Sequence, residues 1–369
     1  MDLHPNAPRA LAGVGRRSFL ASTAASVVGV TLGRLGNAQT ASPALSKMGI
    51  ASTSFMGAQI GSGPPRAGTP AAPARSRDAL AFLEKCHALG AGGVQVQLNG
   101  DLVKLRARAD ELGMFVEGMV SIPRNGEVAP LDRALGEAKA AGIKVVRAAM
   151  LSGRRYETFA TLEAWQQWLA QTHAALKQAM PVIEKHKVIV ALENHKDWTL
   201  DDFLALLKTY SSEYLQVCLD FGNNLSLLDD PYELIEGLAP FAQSTHIKDM
   251  GVQPYADGFW LSEVPLGEGL LDLPRIVGHL QKVNPRIQFS LEMITRDPLK
   301  VPCLTPQYWA VFPDRNGKYL ARTLRLVQEK ASRAPLPMVS QLSETERARV
   351  EEDNVRACLA YANAKRLIA

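Results

Sequence analysis

Cysteine is scarce in this sequence, and its four cysteines stand far apart. Cys86, Cys218, Cys303 and Cys358 form no CxxC pair, so the sequence contains no zinc-finger pattern. An oxidising compartment would permit a disulfide, but no spacing selects a pair. Cys86 and Cys218 lie in apolar segments, and we expect both to pack as small apolar side chains.

The sequence also lacks a strong net charge and a long apolar run. It has 41 basic and 37 acidic residues, a formal charge of +4. Its N-terminal uncharged run, residues 18–33, has 16 residues, fewer than the roughly 20 that span a bilayer. This run follows the paired arginines of GRRSFL (15–20) and precedes GNA and Gln39, a small-residue cleavage pattern.

This arrangement resembles a bacterial twin-arginine signal peptide, which directs the export of folded proteins. A basic, disordered tail is the alternative. Removing residues 1–38 takes away four arginines and one aspartate, which leaves 37 basic against 36 acidic residues. We therefore predict a periplasmic protein with no nucleic-acid partner and no stable membrane insertion after cleavage.

From residue 45 onward, apolar segments that read as strands alternate with amphipathic helical segments. Several of the helical segments end at a glycine (Gly90, Gly113, Gly142), which favours a left-handed C-cap. The alternation predicts parallel strands with crossover helices, either in a (β/α)8 barrel or in a doubly wound sheet. The predicted strands are 47–55, 92–99, 114–122, 143–150, 187–193, 214–221, 243–249 and 287–294, and the clearest helices are 77–89, 101–112, 162–180, 200–210, 271–283 and 318–331.

The polarity of alternate strand positions separates these two folds. Strands of a doubly wound sheet are covered on both faces and should be apolar throughout. Here one face of several strands is apolar and the other is polar, as expected where one face meets helices and the other a polar interior. We therefore predict a (β/α)8 TIM barrel. The polar positions are Gln95, Gln97, Gln216, Asp220, Ser244, His246, Lys248, Gln288, Ser290 and Glu292.

Ionisable residues collect at the ends of the last four predicted strands. Glu193, Asp220 and Glu292 end strands five, six and eight, and His246 holds the equivalent place on strand seven. Three buried carboxylates would repel one another unless a cation lay among them. The sequence therefore predicts one divalent metal held by these four residues. Oxygen-rich ligation with a single histidine favours Mn²⁺, and Mg²⁺, Co²⁺ or Zn²⁺ would also be accepted.

Five motifs in order, ALENH (191–195), CLDFGN (218–223), HIKD (246–249), VPLGEGLLDLP (264–274) and SLEM (290–293), resemble the xylose-isomerase-like TIM-barrel superfamily. The sugar phosphate isomerase/epimerase group is the branch that they resemble, and the likeness covers about residues 45–335. It implies a Glu193–Asp220–His246–Glu292 metal site. It also implies that Glu193 and Glu292 act as catalytic acid and base on opposite faces of a sugar or keto-sugar, through an enediolate.

One position departs from the epimerase pattern. Ketose epimerases commonly have DxGH on strand six, whereas this chain has DFGN, with Asn223 at the histidine's place. His195 and Lys248 could take over the substrate contact, or could instead orient the carboxylate ligands. In the loop 294–309, Trp309 could bind a sugar face, or the loop could simply pack. We predict that His195, Lys248, Asn223 and Trp309 bind substrate.

The domain prediction has three parts: a signal peptide (1–38), a barrel (45–335) and a C-terminal helical extension (336–369). The extension's helix should begin at Ser343, with Glu346 completing a capping box, and should pack outside the barrel or against another subunit of a homo-oligomer. The Gly/Pro/Ala-rich segment 58–76 is either a lid over the site or a disordered insertion.

The leading functional hypothesis is a metal-dependent sugar isomerase or epimerase. A lyase or dehydratase that eliminates a β-leaving group from a keto-sugar is the alternative, and a non-catalytic sugar-binding protein is a third hypothesis. An apurinic endonuclease shares the barrel but needs about three metals, more histidines and a basic groove, which argues against it here.

Overall fold

The computed structural model describes residues 46–55 and 78–368, and it confirms the predicted barrel. The predicted signal peptide and the segment 58–76 lie outside these residues. Eight parallel strands close in the order β1-β10-β7-β6-β5-β4-β3-β2. The barrel strands are β1 (Gly49–Ala51), β2 (Gly93–Gln97), β3 (Phe115–Met119), β4 (Val145–Ala148), β5 (Ile189–Glu193), β6 (Leu215–Asp220), β7 (Ala242–Ile247) and β10 (Ser290–Leu291).

Helices connect the strands, and many begin with a side-chain cap. Asp101, for example, accepts the backbone N–H of Lys104 at 2.9 Å. Gly90, Gly113 and Gly142 have positive φ after their helices, as predicted. The helices are α1 (Ala79–Ala88), α2 (Leu102–Glu111), α3 (Ala129–Ala140), α4 (Arg155–Thr158), α5 (Leu162–His186), α6 (Leu200–Tyr210), α7 (Pro231–Leu238), α8 (Leu273–Val283), α9 (Pro306–Trp309), α10 (Gly317–Lys330) and α11 (Glu344–Ala364).

Several predicted boundaries were wrong for physical reasons. Helix α5 was expected to stop at residue 180, but it continues through Pro181 because the buried Ile183 anchors its last turn. The predicted first and eighth strands, 47–55 and 287–294, shorten to β1 and β10. Here Ser54 Oγ donates to the carbonyl of Leu291 at 2.9 Å and accepts the N–H of Met293 at 3.0 Å, bonds that would otherwise belong to a strand ladder.

A second sheet, absent from the sequence-based prediction, follows the seventh barrel strand. Strands β8 (Asp249–Tyr255) and β9 (Gly258–Val264) form an antiparallel hairpin, to which β11 (Leu299–Val301) adds along β9. The predicted strand 243–249 therefore ends at Ile247, and the chain turns into the hairpin. Its turn uses Gly258, with φ of 152°, where a Cβ would lie 2.2 Å from the carbonyl oxygen of Val301.

Asp249, the last residue of the HIKD motif, holds the loop after β9. This loop contains the LGEG segment (266–269) of the VPLGEGLLDLP motif. The carboxylate of Asp249 accepts backbone N–H groups of Gly267 and Gly269 at 3.0 Å each and of Leu271 at 3.1 Å. A Cβ at Gly269 would lie 2.1 Å from Asp249 Oδ1, so only glycine fits there. One buried carboxylate thus fixes a whole loop at the C-terminal end of the barrel.

Helix α11 confirms the predicted C-terminal extension, including the capping box of Ser343 and Glu346. It packs on the loops of its own barrel. Cys358 Sγ accepts the N–H of Leu266 at 3.4 Å, and Asn354 donates to Thr295 Oγ1 at 2.9 Å. All four cysteines are free and buried. Among the residues described, none of the helices combines the length and the apolar character needed to cross a membrane.

Candidate metal centre

The four predicted ligands meet inside the barrel. Glu193, Asp220, His246 and Glu292 each offer a donor atom, and these atoms lie within 4.8 Å of one another. All four residues are at most 2% exposed. Their strands β5, β6, β7 and β10 are adjacent in the barrel, and Glu193 and Asp220 are the last residues of their strands. The register pairs His246 with Asp220 on one side and with Ser290 on the other.

The imidazole of His246 lies among the three carboxylates. Its Nδ1 is 3.4 Å from Glu193 Oε1, 3.4 Å from Glu292 Oε1 and 3.8 Å from Asp220 Oδ2. It is buried without a hydrogen-bond partner. Two donors on opposite sides of one ion, each bonded at about 2.1 Å, stand about 4 Å apart. The spacing and the donor set therefore fit one divalent cation.

The charges around His246 give the same indication. Burial alone lowers the pKa of this imidazole, but Glu292 and Glu193 outweigh burial and raise it to about 10. The pocket therefore stabilises positive charge where the donor atoms converge. A metal ion bound there would supply that charge and leave the imidazole neutral, as metal ligation requires.

Gln95 orients the imidazole of His246 through Nε2, the ring nitrogen that does not face the carboxylates. His246 Nε2 lies 2.7 Å from Gln95 Oε1, which can only accept, so Nε2 carries a proton. In the neutral imidazole that a bound metal would require, the Nδ1 lone pair would then face the carboxylates. The Gln95 amide donates in turn to Glu117 Oε2 at 3.0 Å and to Ser244 Oγ at 3.2 Å. Burial raises the pKa of Glu117 to about 7, although Ser244 and Gln95 partly oppose the shift.

The DFGN turn positions Asp220. Its Oδ1 accepts the N–H groups of Gly222 at 2.9 Å and Asn223 at 2.7 Å, which leaves Oδ2 for the cluster. Asn194 fixes the backbone of Asp220 in both directions, because its amide oxygen accepts the Asp220 N–H and its amide nitrogen donates to the Asp220 carbonyl, both at 2.8 Å.

Cations hold the glutamate oxygens that point away from His246. Arg147 Nε donates to Glu193 Oε2 at 2.5 Å, and Lys248 Nζ lies 2.5 Å from Glu292 Oε2 and 2.7 Å from Asp220 Oδ2. Burial raises the pKa of Glu193, but Arg147 and His246 outweigh burial and hold it well below its usual range. Both glutamates are therefore ionised, as metal ligands must be.

Comparison with known proteins decides the family. The sequence pattern of the family described as "Xylose isomerase-like TIM barrel" matches residues 83–310. This chain belongs to that family. It is 31% identical over 203 residues, 52% of this chain and 69% of the relative, to the 3-oxo-isoapionate decarboxylase of Pectobacterium atrosepticum.

Two of the solved structures that are similar to this chain have low identity to it. L-ribulose 3-epimerase is 16% identical, with a TM-score of 0.49 over 86% of this chain and 96% of that one. The 3-keto-D-glucoside 4-epimerase of E. coli is also 16% identical, with a TM-score of 0.46 over 76% of this chain and 99% of that one.

The residues that were predicted to bind substrate differ from one another in the groups they contact. Asn223 bridges Glu193 Oε1, to which its amide donates at 3.0 Å, and the ammonium of Lys196, which donates to its carbonyl oxygen. Lys248 lies between two carboxylates, as described above. Trp309 is in α9, where its indole donates to the carbonyl of Cys303 at 2.9 Å. Substrate binding by these residues stays a prediction.

The alternation of strand β5 ends at Glu193, and the residues that follow it up to Thr199 are irregular. Lys196 adopts a left-handed backbone with φ of 63°, and Asp197 turns back to accept the N–H groups of His195 at 3.1 Å and Trp198 at 2.9 Å. His195 Nδ1 lies 2.8 Å from the carbonyl of Leu151. Burial lowers the pKa of His195 to about 3, only partly offset by Glu193, so this imidazole is neutral.

Three ionisable residues near the cluster were missed by sequence reasoning as site residues: Arg147, Lys196 and Glu263. Glu263 comes from the hairpin strand β9, and Arg296 holds it with contacts of 2.5 and 3.2 Å. Burial raises the pKa of Glu263, but Arg296 and Lys248 outweigh burial and lower it to about 2. The Asp257-Gly258 dipeptide between alternating segments was the available signal for this hairpin, although the two turn residues are Ala256 and Asp257 and Gly258 begins β9.

Proposed function

We propose that this protein is a divalent-metal-dependent enzyme that acts on the carbon next to the carbonyl of a keto-sugar, by isomerisation or epimerisation through an enediolate. The observation that carries the proposal is the buried Glu–Asp–His–Glu cluster on four adjacent strands. Mn²⁺ is the first candidate for the metal, because oxygen donors dominate and only one imidazole takes part.

The residues around the cluster have separable tasks in this proposal. Glu193, Asp220, His246 and Glu292 would hold the metal, which would supply Lewis-acid chemistry that acidifies a C–H bond next to a carbonyl. Glu193 and Glu292 lie on two sides of His246, at 3.4 Å each, and would remove and return the proton. Lys248, between Asp220 and Glu292, would donate a hydrogen bond to an oxygen that gains negative charge.

A lyase is the second candidate, and the contacts of the glutamates favour it. Arg147 holds Glu193 Oε2 and Lys248 holds Glu292 Oε2, so both carboxylates are weakened as bases. Decarboxylation of a β-keto acid needs no base. The bond to the carboxylate breaks, its electron pair forms the enediolate, CO₂ leaves, and a proton then adds to carbon. The decarboxylase relative supports this candidate.

Incubation with a panel of keto-sugars and keto-sugar acids plus Mn²⁺ in D₂O, followed by NMR, tests the proposal. Deuterium entering the carbon next to the carbonyl would indicate an isomerase or epimerase, whereas CO₂ release or an alkene would indicate a lyase. Chelator-treated protein and the Glu193→Gln and Glu292→Gln variants are the controls. Full turnover by any of these three would refute the proposed metal chemistry, and binding without turnover would indicate a sugar-binding protein.

We also propose that the protein acts in the periplasm, supported by the twin-arginine-like segment 1–38. Fusing this segment to a fluorescent reporter that is exported only when folded should place the reporter in the periplasm. Changing Arg16 and Arg17 together to lysine should block export. Export that survives the double change would argue against this route.

A further inference from the structure

We infer that Lys196 forms a carboxylate-binding subsite beside the metal centre, so that the substrate is an anionic sugar acid. This inference rests on the proposed function, because the subsite would hold the same molecule that meets the metal.

The ammonium of Lys196 is a buried positive charge without a negative partner. Lys196 is 2% exposed, and its Nζ donates to the neutral Asn223 Oδ1. Among the residues that the structure describes, no carboxylate forms an ion pair with it. By contrast, Arg147, Lys248 and Arg296 each contact a carboxylate. A buried, unpaired charge is unfavourable, so a ligand anion is the natural partner.

The backbone of Lys196 also carries a cost. Its φ of 63° lies in the left-handed region, which L-residues other than glycine, asparagine and aspartate seldom adopt. The turn of Asp197 around the His195 and Trp198 amides maintains this conformation. The fold therefore holds a strained residue in place and directs its ammonium to Asn223, the residue that also contacts Glu193.

The charge balance of the site supports an anionic ligand. The buried carboxylates and cations near the cluster are equal in number, so a bound dication would leave a surplus of two positive charges. Glu117 and Asp197 are also buried, but burial raises the pKa of each carboxyl group to about 7, so they offset this surplus only in part. A neutral sugar hydroxyl cannot neutralise the remainder, but a carboxylate can. The carboxylates are Glu193, Asp220, Glu263 and Glu292, and the cations are Arg147, Lys196, Lys248 and Arg296.

A single carboxylate fits better than a phosphate dianion. Arg296 is already bound to Glu263 through two nitrogens, and Lys248 is shared by two carboxylates. Of these cations, Lys196 is the one without a carboxylate partner among the described residues, and its single charge matches one carboxylate.

A matched pair of probes tests the inference. 2-Keto-D-gluconate and D-fructose share their ketone and stereocentres and differ in having a carboxylate or a hydroxymethyl group at C1. Binding of each to the Mn²⁺-loaded protein would be measured by calorimetry, together with further 2-keto-aldonates and their neutral counterparts. We expect carboxylates to bind about ten- to hundredfold more tightly than their neutral partners, as for a charged hydrogen bond.

Variants of Lys196 distinguish carboxylate binding by its ammonium group from a purely structural role of the side chain. Lys196→Met should abolish the preference for carboxylates, Lys196→Arg should keep most of it, and Lys185→Met, at an exposed lysine paired with Asp132, should leave it unchanged. Without ligand, Lys196→Met should melt no lower than the wild type, because it removes an unpaired buried charge. Lys196→Gln serves as a second neutral variant if the methionine variant does not fold.

The outcomes distinguish the two proposals. If no carboxylate in the panel binds more tightly than its neutral counterpart, if fructose 1-phosphate binds better than the keto-acids, or if Lys196→Met keeps the preference, the inference is wrong. Metal-dependent turnover of a neutral keto-sugar with no carboxylate preference would leave the proposed function standing. Carboxylate binding that depends on Lys196, without any metal-dependent turnover, would instead refute the proposed function.

Discussion

Gln95→Leu should weaken metal binding although Gln95 is not a predicted ligand. The variant removes the acceptor of the His246 Nε2–H, a contact of 2.7 Å. The imidazole could then carry its proton on Nδ1, the nitrogen that faces the carboxylates. Loss of such an outer contact typically lowers metal affinity 10- to 100-fold, or by about 1.4–2.7 kcal/mol. Calorimetric titration with Mn²⁺ at neutral pH measures the change directly.

Gln97→Leu is the matched control for this experiment. Gln97 lies two residues further along β2, is exposed, and donates only a weak contact, at 3.6 Å, to Met119 Sδ. Its replacement should leave the affinity unchanged. Gln95→Leu also removes a donor from Glu117, so unfolding should be monitored separately from binding. A folded Gln95→Leu protein that binds Mn²⁺ within twofold of the wild type would show that His246 is not oriented for metal in this way.

Two further predictions follow from the contacts described above. Because Arg147 holds the pKa of Glu193 low, Arg147→Met should raise that pKa and move the acidic limb of the rate–pH profile to higher pH; an unshifted limb would contradict this. Gly269→Ala should lower stability by about 1–3 kcal/mol, since its methyl group would meet Asp249 Oδ1 at 2.1 Å. Gly278→Ala, in a helix with open space around the site, should instead gain about 0.5–1 kcal/mol, and thermal melting of both variants checks the contrast.

The four candidate ligands were predictable because a barrel strand imposes a simple rule. Side chains alternate between the interior and the helices, and strands of one barrel end at the same rim. Glu193, Asp220, His246 and Glu292 obey this rule, so their positions in the sequence were enough to bring them together.

The surrounding cations were harder to predict because they depend on irregular backbone and long-range packing. Strand β5 ends at Glu193, so its inside–outside alternation says nothing about where the side chains of His195 and Lys196 lie. Glu263 reaches the site only because a hairpin follows β7, and its partner Arg296 comes from the loop after β10. The periodicity of a single strand does not indicate that a hairpin or a later loop will bring a side chain to the site.

The packing of α11 on its own barrel means that the C-terminal end of the chain cannot be shortened without an effect on the barrel. The helix contacts the segments after β9 and β10 through Leu266 and Thr295, and these segments adjoin strands that contribute Glu263 and Glu292. Shortening the chain before residue 343 would therefore release the loops at the rim of the barrel. A truncation made for convenience in crystallisation would therefore disturb the candidate metal centre and not only a peripheral helix.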